Sequence, residues 1–306
     1  MSEAPGESGT PEPGAPGSGA AGSGMRDFGR AWPGAVRTSP LCVGIDPHAG
    51  LLADWGLPDT ADGARTFSLA VLEAAAGRVA LVKPQSAFYE RFGSAGVAVL
   101  EEVLAAARAA GLLSVLDIKR GDIGSTMAGY AQAYMDPSSP LAADAVTLSP
   151  YLGFGSLGPA LDAAREFGTG VFVLALTSNP DGPQVQHAIT PAGRPVAAEI
   201  ISGVEAFNAE VGSPRAGVVI GATIGDAMPA LGIDPSGLAC PVLAPGFGAQ
   251  GGTADDLAAV FGNSFTGGRV LVNASRSVLA AGPDRAGLSG AMDEITRVLR
   301  QRMRLD

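Results

Sequence analysis

Eight short apolar segments alternate with helical patterns along the chain, and this alternation restricts the possible folds more than any other feature. The apolar segments span 41–46, 79–83, 112–116, 145–148, 170–176, 217–222, 241–244 and 270–273. Segments that are short and apolar on both faces are typical of buried parallel strands. Eight strand–helix units in a chain of 306 residues predict an α/β fold, a (β/α)₈ TIM barrel.

An open, doubly wound sheet is the main alternative, because it is built from the same alternation of strands and helices. The dinucleotide-binding form of that fold carries a Gly-x-Gly-x-x-Gly motif where the first strand turns into the first helix. Here Asp46, Pro47 and His48 occupy that junction. The sequence therefore favours the barrel.

The N-terminal segment differs in composition from the rest of the chain. Residues 1–24 are nearly all Gly, Pro, Ala, Ser, Glu and Thr. Such a segment cannot bury enough apolar surface to offset the entropy lost on folding. We expect residues 1–25 to form a disordered tail and residues 26–306 to form one catalytic barrel domain.

Charge and cysteine content restrict the partners and the compartment. With 20 basic and 30 acidic residues the net charge is −10, which argues against a nucleic-acid partner or an anionic membrane surface. No apolar segment is long enough to span a membrane, and no secretory signal is recognisable. Cys42 and Cys240 lie in apolar segments without metal-ligand spacing. We expect free thiols, a cytoplasmic protein and no metal.

Charged residues follow the first three predicted strands. Asp117, Lys119 and Asp122 form an Asp-x-Lys-x-x-Asp motif after the third strand, Lys83 ends the second, and Asp46 ends the first. Residues two apart on a strand share a face, so Asp117 and Lys119 should point the same way, whereas Asp122 must join them through the loop. An ion-pair network of purely structural role is the alternative. Because barrel active sites lie at the carboxyl ends of the strands, the repeated placement there favours chemistry.

A second group of residues follows strands seven and eight. The segment 245–252 is rich in glycine, and 273–277 carries Ser275 and Arg276 into a predicted helix. Barrels commonly bind phosphate in the loops after these two strands, with backbone N–H groups and a cation. Arg276 supplies a cation, so the sequence predicts a phosphate site here.

These motifs together resemble orotidine 5′-phosphate decarboxylase, in its longer bacterial subfamily, type 2. The resemblance is carried by Lys83, the Asp-x-Lys-x-x-Asp motif, the glycine-rich segment 245–252, the Ser275–Arg276 pair and the segments 41–48 and 177–180. It extends from about Leu41 to the C-terminus. Five separated strand ends match in order, which makes the combination specific.

The resemblance implies that the chain converts orotidine 5′-phosphate to uridine 5′-phosphate, the last step of de novo pyrimidine nucleotide biosynthesis, without a metal or cofactor. It implies that Lys119 protonates C6 of the pyrimidine, that Asp117 crowds the substrate carboxylate, and that Lys83 orients this carboxylate and contacts the ribose. Asp122 would complete the charged network. It also implies a homodimer with shared active sites, in which Asp122 and Thr126 reach into the partner's site.

The resemblance also implies roles for the substrate-binding residues. Asp46 would bind a ribose hydroxyl, and Ser178 would hydrogen-bond the edge of the pyrimidine. Gln250 would bridge base and phosphate as a lid closes, and Arg276 would bind the phosphate, with Ser275 in the same binding set.

Two other functions remain possible on the residues alone. Sugar-phosphate decarboxylases and aldolases of related barrels share the Asp-x-Lys-x-x-Asp motif, but they need Mg²⁺ and place an acid at the end of strand two. This chain has Lys83 there, and a lysine does not ligate a hard cation. A non-catalytic phosphometabolite-binding barrel is the other possibility, although it would have no use for Lys119. His48 and His187 receive no role.

Overall fold

The computed structural model of the chain describes residues 25–249 and 251–305. Eight parallel strands pair in sequence order and close into a barrel, since β1 pairs with both β2 and β8. The strands are β1 (Leu41–Ile45), β2 (Leu81–Pro84), β3 (Leu113–Arg120), β4 (Ala145–Leu148), β5 (Gly170–Leu176), β6 (Ala216–Ile220), β7 (Val242–Pro245) and β8 (Val270–Ala274). The predicted (β/α)₈ barrel is confirmed. Residues 1–24, the greater part of the predicted tail, lie outside the described residues.

Helices surround the barrel and connect its strands. They are α1 (Phe28–Thr38), α2 (Ala49–Asp54), α3 (Ala61–Ala75), α4 (Ala87–Glu90), α5 (Gly93–Ala109), α6 (Gly124–Met135), α7 (Gly158–Phe167), α8 (Pro183–Gln186), α9 (Val196–Val211), α10 (Ala227–Ala230), α11 (Ala254–Phe261), α12 (Asn263–Thr266), α13 (Arg276–Leu279) and α14 (Arg285–Met303). A 3₁₀ helix, Phe154–Leu157, precedes α7. The connection after β6 holds only the four-residue α10, because Pro229 lies inside it and Gly225 and Gly232 flank it with positive φ.

Side-chain caps explain where several helices begin. The hydroxyl of Thr60 accepts a hydrogen bond from the N–H of Gly63 at the start of α3. Thr253 and Asp256 form a reciprocal capping box at the start of α11. His48 has the same task at α2, where its Nδ1 accepts from the N–H of Leu51. This cap gives His48 a structural role.

Helix α1 closes the amino end of the barrel and was not predicted from the sequence. Phe28 and Trp32 of this helix pack on Phe172 of β5, with ring centroids 5.9 and 5.6 Å from that ring. The rings fit because Gly170 and Gly217 have no side chain; a Cβ there would lie 2.4 Å from Phe28 and 2.6 Å from Phe172. Aromatic packing at the amino end leaves the carboxyl end of the barrel open for a site.

Strand β3 is longer than predicted and is irregular at its end. Val146 of β4 pairs with Leu116, but Leu148 pairs with Arg120. Thus β3 advances four residues (120 − 116) while β4 advances two (148 − 146). The extra residues bulge out of the regular ladder and re-aim the side chains that follow. The motif that carries Asp117 and Lys119 lies in this bulge.

Both cysteines are buried and free, as the sequence predicted. Burial raises the pKa of the Cys42 thiol to about 12, and the same cause acts on Cys240. Neither thiol is therefore a nucleophile at neutral pH. Within residues 25–249 and 251–305, no helix is long and apolar enough to cross a membrane.

Candidate active site

A cavity of about 300 Å³ opens at the carboxyl ends of the strands. Residues predicted from the sequence to act at the site line it: Asp46, Lys83, Asp117, Lys119, Ser178, Ser275 and Arg276. They come from five different strand ends, as a barrel site requires. Asp122 and Thr126 are absent from the described lining, and Gln250 lies outside the described residues.

Lys83, Asp117 and Lys119 form an alternating chain of charges in the lining of the cavity. Nζ of Lys83 lies 2.9 Å from Oδ2 of Asp117, and Nζ of Lys119 lies 2.6 Å from Oδ1 of the same carboxylate. The second oxygen near Lys83 is Oε1 of Gln85, at 3.1 Å. The two ammonium groups therefore hold the Asp117 carboxylate from both sides.

The two lysines differ in their access to solvent. The side chains of Lys83 and Asp117 are only 5% and 8% exposed, whereas that of Lys119 is 45% exposed. Lys119 is thus the more accessible of the two lysines to a molecule in the cavity. Lys83 lines the same cavity but is largely buried.

Burial and charge compete in setting the protonation of the buried pair. Burial opposes ionisation of Asp117, but attraction to Lys83 and Lys119 outweighs it and holds the pKa of this carboxyl well below its usual range. Burial likewise disfavours the Lys83 cation, yet the negative charges of Asp117 and Asp46 raise the pKa of Lys83 above its usual range. The pair is therefore fully ionised at neutral pH.

Two further polar atoms face the cavity without a partner. Oδ1 of Asp46 and Oδ1 of Asn273 are buried, and neither accepts a hydrogen bond from the described residues. Both residues line the cavity. Because buried acceptors without donors are costly, these oxygens are suited to a ligand that carries hydroxyl or N–H groups.

The loop after β7 contacts the turn after β8. Gly246 and Gly248 have φ values of 106° and 70°, which permit the tight path of the loop. The hydroxyl of Ser277 accepts from the N–H of Ala249 at 3.1 Å, which ties the two segments together. Arg276 is exposed beside them and forms no ion pair with any residue in 25–249 or 251–305. A cation left unpaired beside a glycine-rich loop is suited to an anionic group.

The hydroxyl of Ser275 occupies the space that a side chain at position 44 of β1 would fill. A Cβ on Gly44 would lie 1.8 Å from Oγ of Ser275, so only glycine leaves room for this hydroxyl. The same missing Cβ would lie 3.4 Å from Oδ2 of Asp46. Gly44 therefore brings two predicted binding residues together, a role that the sequence alone did not reveal.

Ser178 lies at the end of β5, where the chain is held by Gln186 of α8. The side-chain amide of Gln186 accepts from the N–H of Thr177 at 2.8 Å and donates to its hydroxyl at 2.7 Å. Loop 180–191 thus contains a short helix, α8, that is anchored to the cavity edge. His187 caps the end of that helix.

Asp122 does not join the other charged residues through its loop within one chain. Its Oδ1 instead accepts from the adjacent N–H of Ile123, and Thr126 lies exposed on α6. Arg120 turns away as well and pairs with Glu90 at 2.8 Å. The motif therefore contributes two side chains to this cavity, Asp117 and Lys119.

Sequence reasoning missed Thr147 and Gln85, which also line the cavity. Thr147 is a polar residue inside the otherwise apolar strand β4, and that interruption is the signal that could have identified it. Gln85 follows Lys83 by two residues, the spacing that places side chains on one face. Both contact the charged chain directly.

Within the described parts of the chain, no three His, Cys, Asp or Glu residues are grouped so as to hold a metal ion. The place next to Asp117 where a second acid would be needed is occupied by the Lys83 ammonium.

The fold and the cavity define a (β/α)₈-barrel enzyme with a lysine–aspartate–lysine site at the carboxyl ends of its strands. The sequence model of the orotidine 5′-phosphate decarboxylase / HUMPS family matches residues 39–289. The chain belongs to this family, as its motifs suggested.

Individual relatives agree over nearly the whole chain. Orotidine 5′-phosphate decarboxylase of Salinispora arenicola is 55% identical over 275 residues, which cover 89% of this chain and 96% of the relative. The enzyme of the same name from Streptomyces coelicolor is 55% identical over 278 residues, or 90% and 98% of the two chains. A crystal structure described as orotidine 5′-phosphate decarboxylase from Streptomyces avermitilis superposes with a TM-score of 0.85 at 53% identity, covering 90% and 96%.

Proposed function

We propose that the chain decarboxylates orotidine 5′-phosphate to uridine 5′-phosphate, the last step of de novo pyrimidine nucleotide biosynthesis. Relatives that carry this name match almost their full length at 55% identity. The observation that carries the proposal is the array of Lys83, Asp117 and Lys119 at 2.9 and 2.6 Å in one cavity. No cofactor is required by the chemistry described below.

The array suits a reaction that passes through a carbanion. Loss of CO₂ leaves an electron pair on C6 of the pyrimidine with little resonance stabilisation, so charge must be stabilised by groups already in place. The ammonium group of Lys119 provides such a charge and donates the proton that completes the product. Asp117, fixed as a carboxylate, destabilises the substrate carboxylate next to it and not the CO₂ that leaves.

The rest of the cavity matches the parts of a nucleotide. We assign the unpaired oxygen of Asp46 to a ribose hydroxyl, with Lys83 orienting the substrate carboxylate and contacting the same sugar. We assign Ser178 to the edge of the pyrimidine, and Ser275 together with Arg276 to the phosphate; all three line the cavity. We assign Gln250 to base and phosphate on the strength of the family resemblance alone.

We also propose a cytoplasmic homodimer with shared active sites, in which Asp122 and Thr126 enter the partner's cavity. Support comes from the loops after β3 and β4, which expose large apolar side chains: Ile123 is 61%, Tyr151 77% and Leu152 53% exposed. Ile123 is adjacent to Asp122 in the chain, and exposed apolar side chains of this size are typical of a surface that another protein covers. The free, buried thiols of Cys42 and Cys240 suit a reducing compartment.

The loss of absorbance that accompanies conversion of orotidine 5′-phosphate to uridine 5′-phosphate tests the proposal directly. Purified protein should turn over the substrate, and the product should be uridine 5′-phosphate by chromatography. Binding of uridine 5′-phosphate without any turnover would instead establish a non-catalytic nucleotide-binding barrel.

A metal-dependent sugar-phosphate reaction is the second candidate, because the matched family includes HUMPS proteins by its name. The position of Lys83 opposes it, since a cation bonded to Asp117 repels Mg²⁺. Decarboxylation should therefore survive exhaustive chelation. Turnover that disappears with chelator and returns with Mg²⁺ would favour the sugar-phosphate reaction.

A further inference from the structure

The hydroxyl of Thr147 joins the two residues on which the proposed chemistry depends. It donates to Oδ1 of Asp117 at 2.7 Å and accepts from the backbone N–H of Lys119 at 3.0 Å. Thr147 itself is 1% exposed. A hydroxyl has one proton, so these two bonds fix its orientation and both partners at once.

The bulge in β3 explains why a side chain is needed at this position. Between the pairs Leu116–Val146 and Arg120–Leu148, regular strand pairing is lost, and Thr147 is the residue of β4 that lies between them. The N–H of Lys119 therefore bonds to the hydroxyl of Thr147 instead of a β4 carbonyl. A partly buried backbone donor that has lost its strand partner is stabilised by this second acceptor.

Lys119 has a backbone conformation that requires support. Its φ is 47°, in the left-handed region that side chains other than glycine seldom adopt. Strained residues of this kind persist only where the surroundings hold them in place. The bond from the Lys119 N–H to Thr147 is one such restraint, and the bond between its Nζ and Asp117 is the other.

We propose that Thr147 is a positioning residue for decarboxylation, which fixes the Asp117 carboxylate and the strained backbone of Lys119 so that the Lys119 ammonium points into the cavity. This inference rests on the proposed function, since it concerns the efficiency of that reaction. Thr147 acts through Asp117 and Lys119. It sets the geometry of the charge that the carbanion encounters.

Replacement of the hydroxyl by a methyl group tests this role. Thr147→Val keeps the shape and loses both bonds, and we expect kcat to fall roughly tenfold to hundredfold while the affinity for uridine 5′-phosphate stays within about threefold. Thr147→Ser retains the hydroxyl and should recover most of kcat. Calorimetric titration with uridine 5′-phosphate counts the folded sites, so kcat is compared per intact site.

Thr169 offers a matched control, because it is a fully buried threonine whose hydroxyl has no partner among the described residues. It precedes β5 at the opposite end of the barrel. Thr169→Val should leave kcat and nucleotide affinity unchanged.

The outcomes separate this inference from the proposed function. Wild-type protein without decarboxylase activity would overturn the function. Active wild-type protein with an equally active Thr147→Val variant, per intact site, would overturn the role of Thr147. If Thr147→Val does not fold, Thr147→Ala takes its place, and a normal kcat per site in that variant would also refute the role. A fall in stability without a fall in kcat would make Thr147 merely structural.

Discussion

Nζ of Lys83 lies 2.9 Å from Oδ2 of Asp117, and both side chains are more than nine-tenths buried. Both charged groups are therefore largely removed from water and interact mainly with each other. Such a pair adds little net stability compared with apolar residues, but loss of one partner leaves a buried charge unpaired. Removal of either charge should therefore destabilise the folded protein as well as impair its chemistry.

Asp117→Asn should lower the free energy of unfolding by about 3 kcal/mol at neutral pH, because it leaves the Lys83 ammonium buried without a carboxylate. The low pKa of Asp117 gives the sign of the pH dependence. A carboxyl whose pKa is depressed by folding stabilises the protein above its unfolded pKa of about 4 and loses that contribution as the pH falls further. Urea unfolding at several pH values should show the difference between wild type and variant shrinking below about pH 4.

Lys83 behaves in the opposite sense and does not obscure that measurement. Its raised pKa contributes stability below the unfolded value of about 10.4, which is lost only as the pH rises through the folded pKa. Between neutral and acidic pH Lys83 of the wild-type protein stays charged. A difference between wild type and Asp117→Asn that does not depend on pH would show that Asp117 is not held as a carboxylate.

Lys119→Ala should separate chemistry from binding. Lys119 is the more exposed lysine of the charged array and the proposed proton donor, so its loss should reduce kcat more than about 10⁴-fold. Asp117 keeps its bonds to Lys83 and Thr147, so the cavity should still bind uridine 5′-phosphate. The absorbance assay and calorimetry measure the two effects. Substantial turnover by this variant would assign the proton donor elsewhere.

Arg276→Ala, in contrast to Lys119→Ala, should weaken nucleotide binding. Charge-assisted hydrogen bonds to phosphate are worth about 1.5–3 kcal/mol, so the affinity for uridine 5′-phosphate should fall roughly tenfold to more than a hundredfold. Uridine lacks the phosphate, and its affinity should not change. Equal weakening of nucleotide and nucleoside would indicate a general distortion of the loop instead of a phosphate contact.

Gly44→Ala should displace Ser275 from its position in the site. The new Cβ would lie 1.8 Å from Oγ and 2.8 Å from Cβ of Ser275, so the turn after β8 must move. We expect about 1–3 kcal/mol of destabilisation and weaker nucleotide binding, measured by urea unfolding and calorimetry. Gly34→Ala is the control, because a Cβ there on α1 meets nothing within 4 Å. Unaltered nucleotide affinity in Gly44→Ala would show that the position of Ser275 does not matter.

The strands could be predicted because each is an apolar segment of limited length, and their carboxyl ends located Lys83, Asp117 and Lys119 in one region. Helix α1 was missed, since Pro33 lies inside it and Gly29 and Gly34 flank that proline. These residues weaken the helical pattern, which tertiary contacts with Phe172 restore.

The details of the site depend on register, which a single sequence does not specify. The two-residue spacing predicted that Asp117 and Lys119 lie on one face of a strand. Their side chains do form a bond, but the backbone between them bulges, and Lys119 has a left-handed conformation. Thr147 enters only because two strands advance unequally. Asp122 shows a different limit, because its proposed site belongs to a second copy of the chain.

Hybrid dimers test that sharing. Chains carrying Lys119→Ala and Asp122→Ala, co-expressed with different tags and purified for both, should form dimers with one fully intact site of two. If Lys119 of one subunit works with Asp122 of the other, the hybrid should show about half of the wild-type activity although each parent is inactive. The absorbance assay of the doubly purified protein measures this recovery.

A hybrid of Lys119→Ala and Asp117→Ala is the matched control, since both residues line the cavity of their own chain at a separation of 2.6 Å. Both of its sites are damaged, so no activity should return. If the hybrid with Asp122→Ala is equally inactive, then Asp122 serves the cavity of its own subunit. Its loop would then have to move from the position in which Oδ1 bonds to Ile123. Recovery in the first hybrid and not in the second assigns Asp122 to the neighbouring site, where the exposed side chains of Ile123 and Tyr151 would be covered.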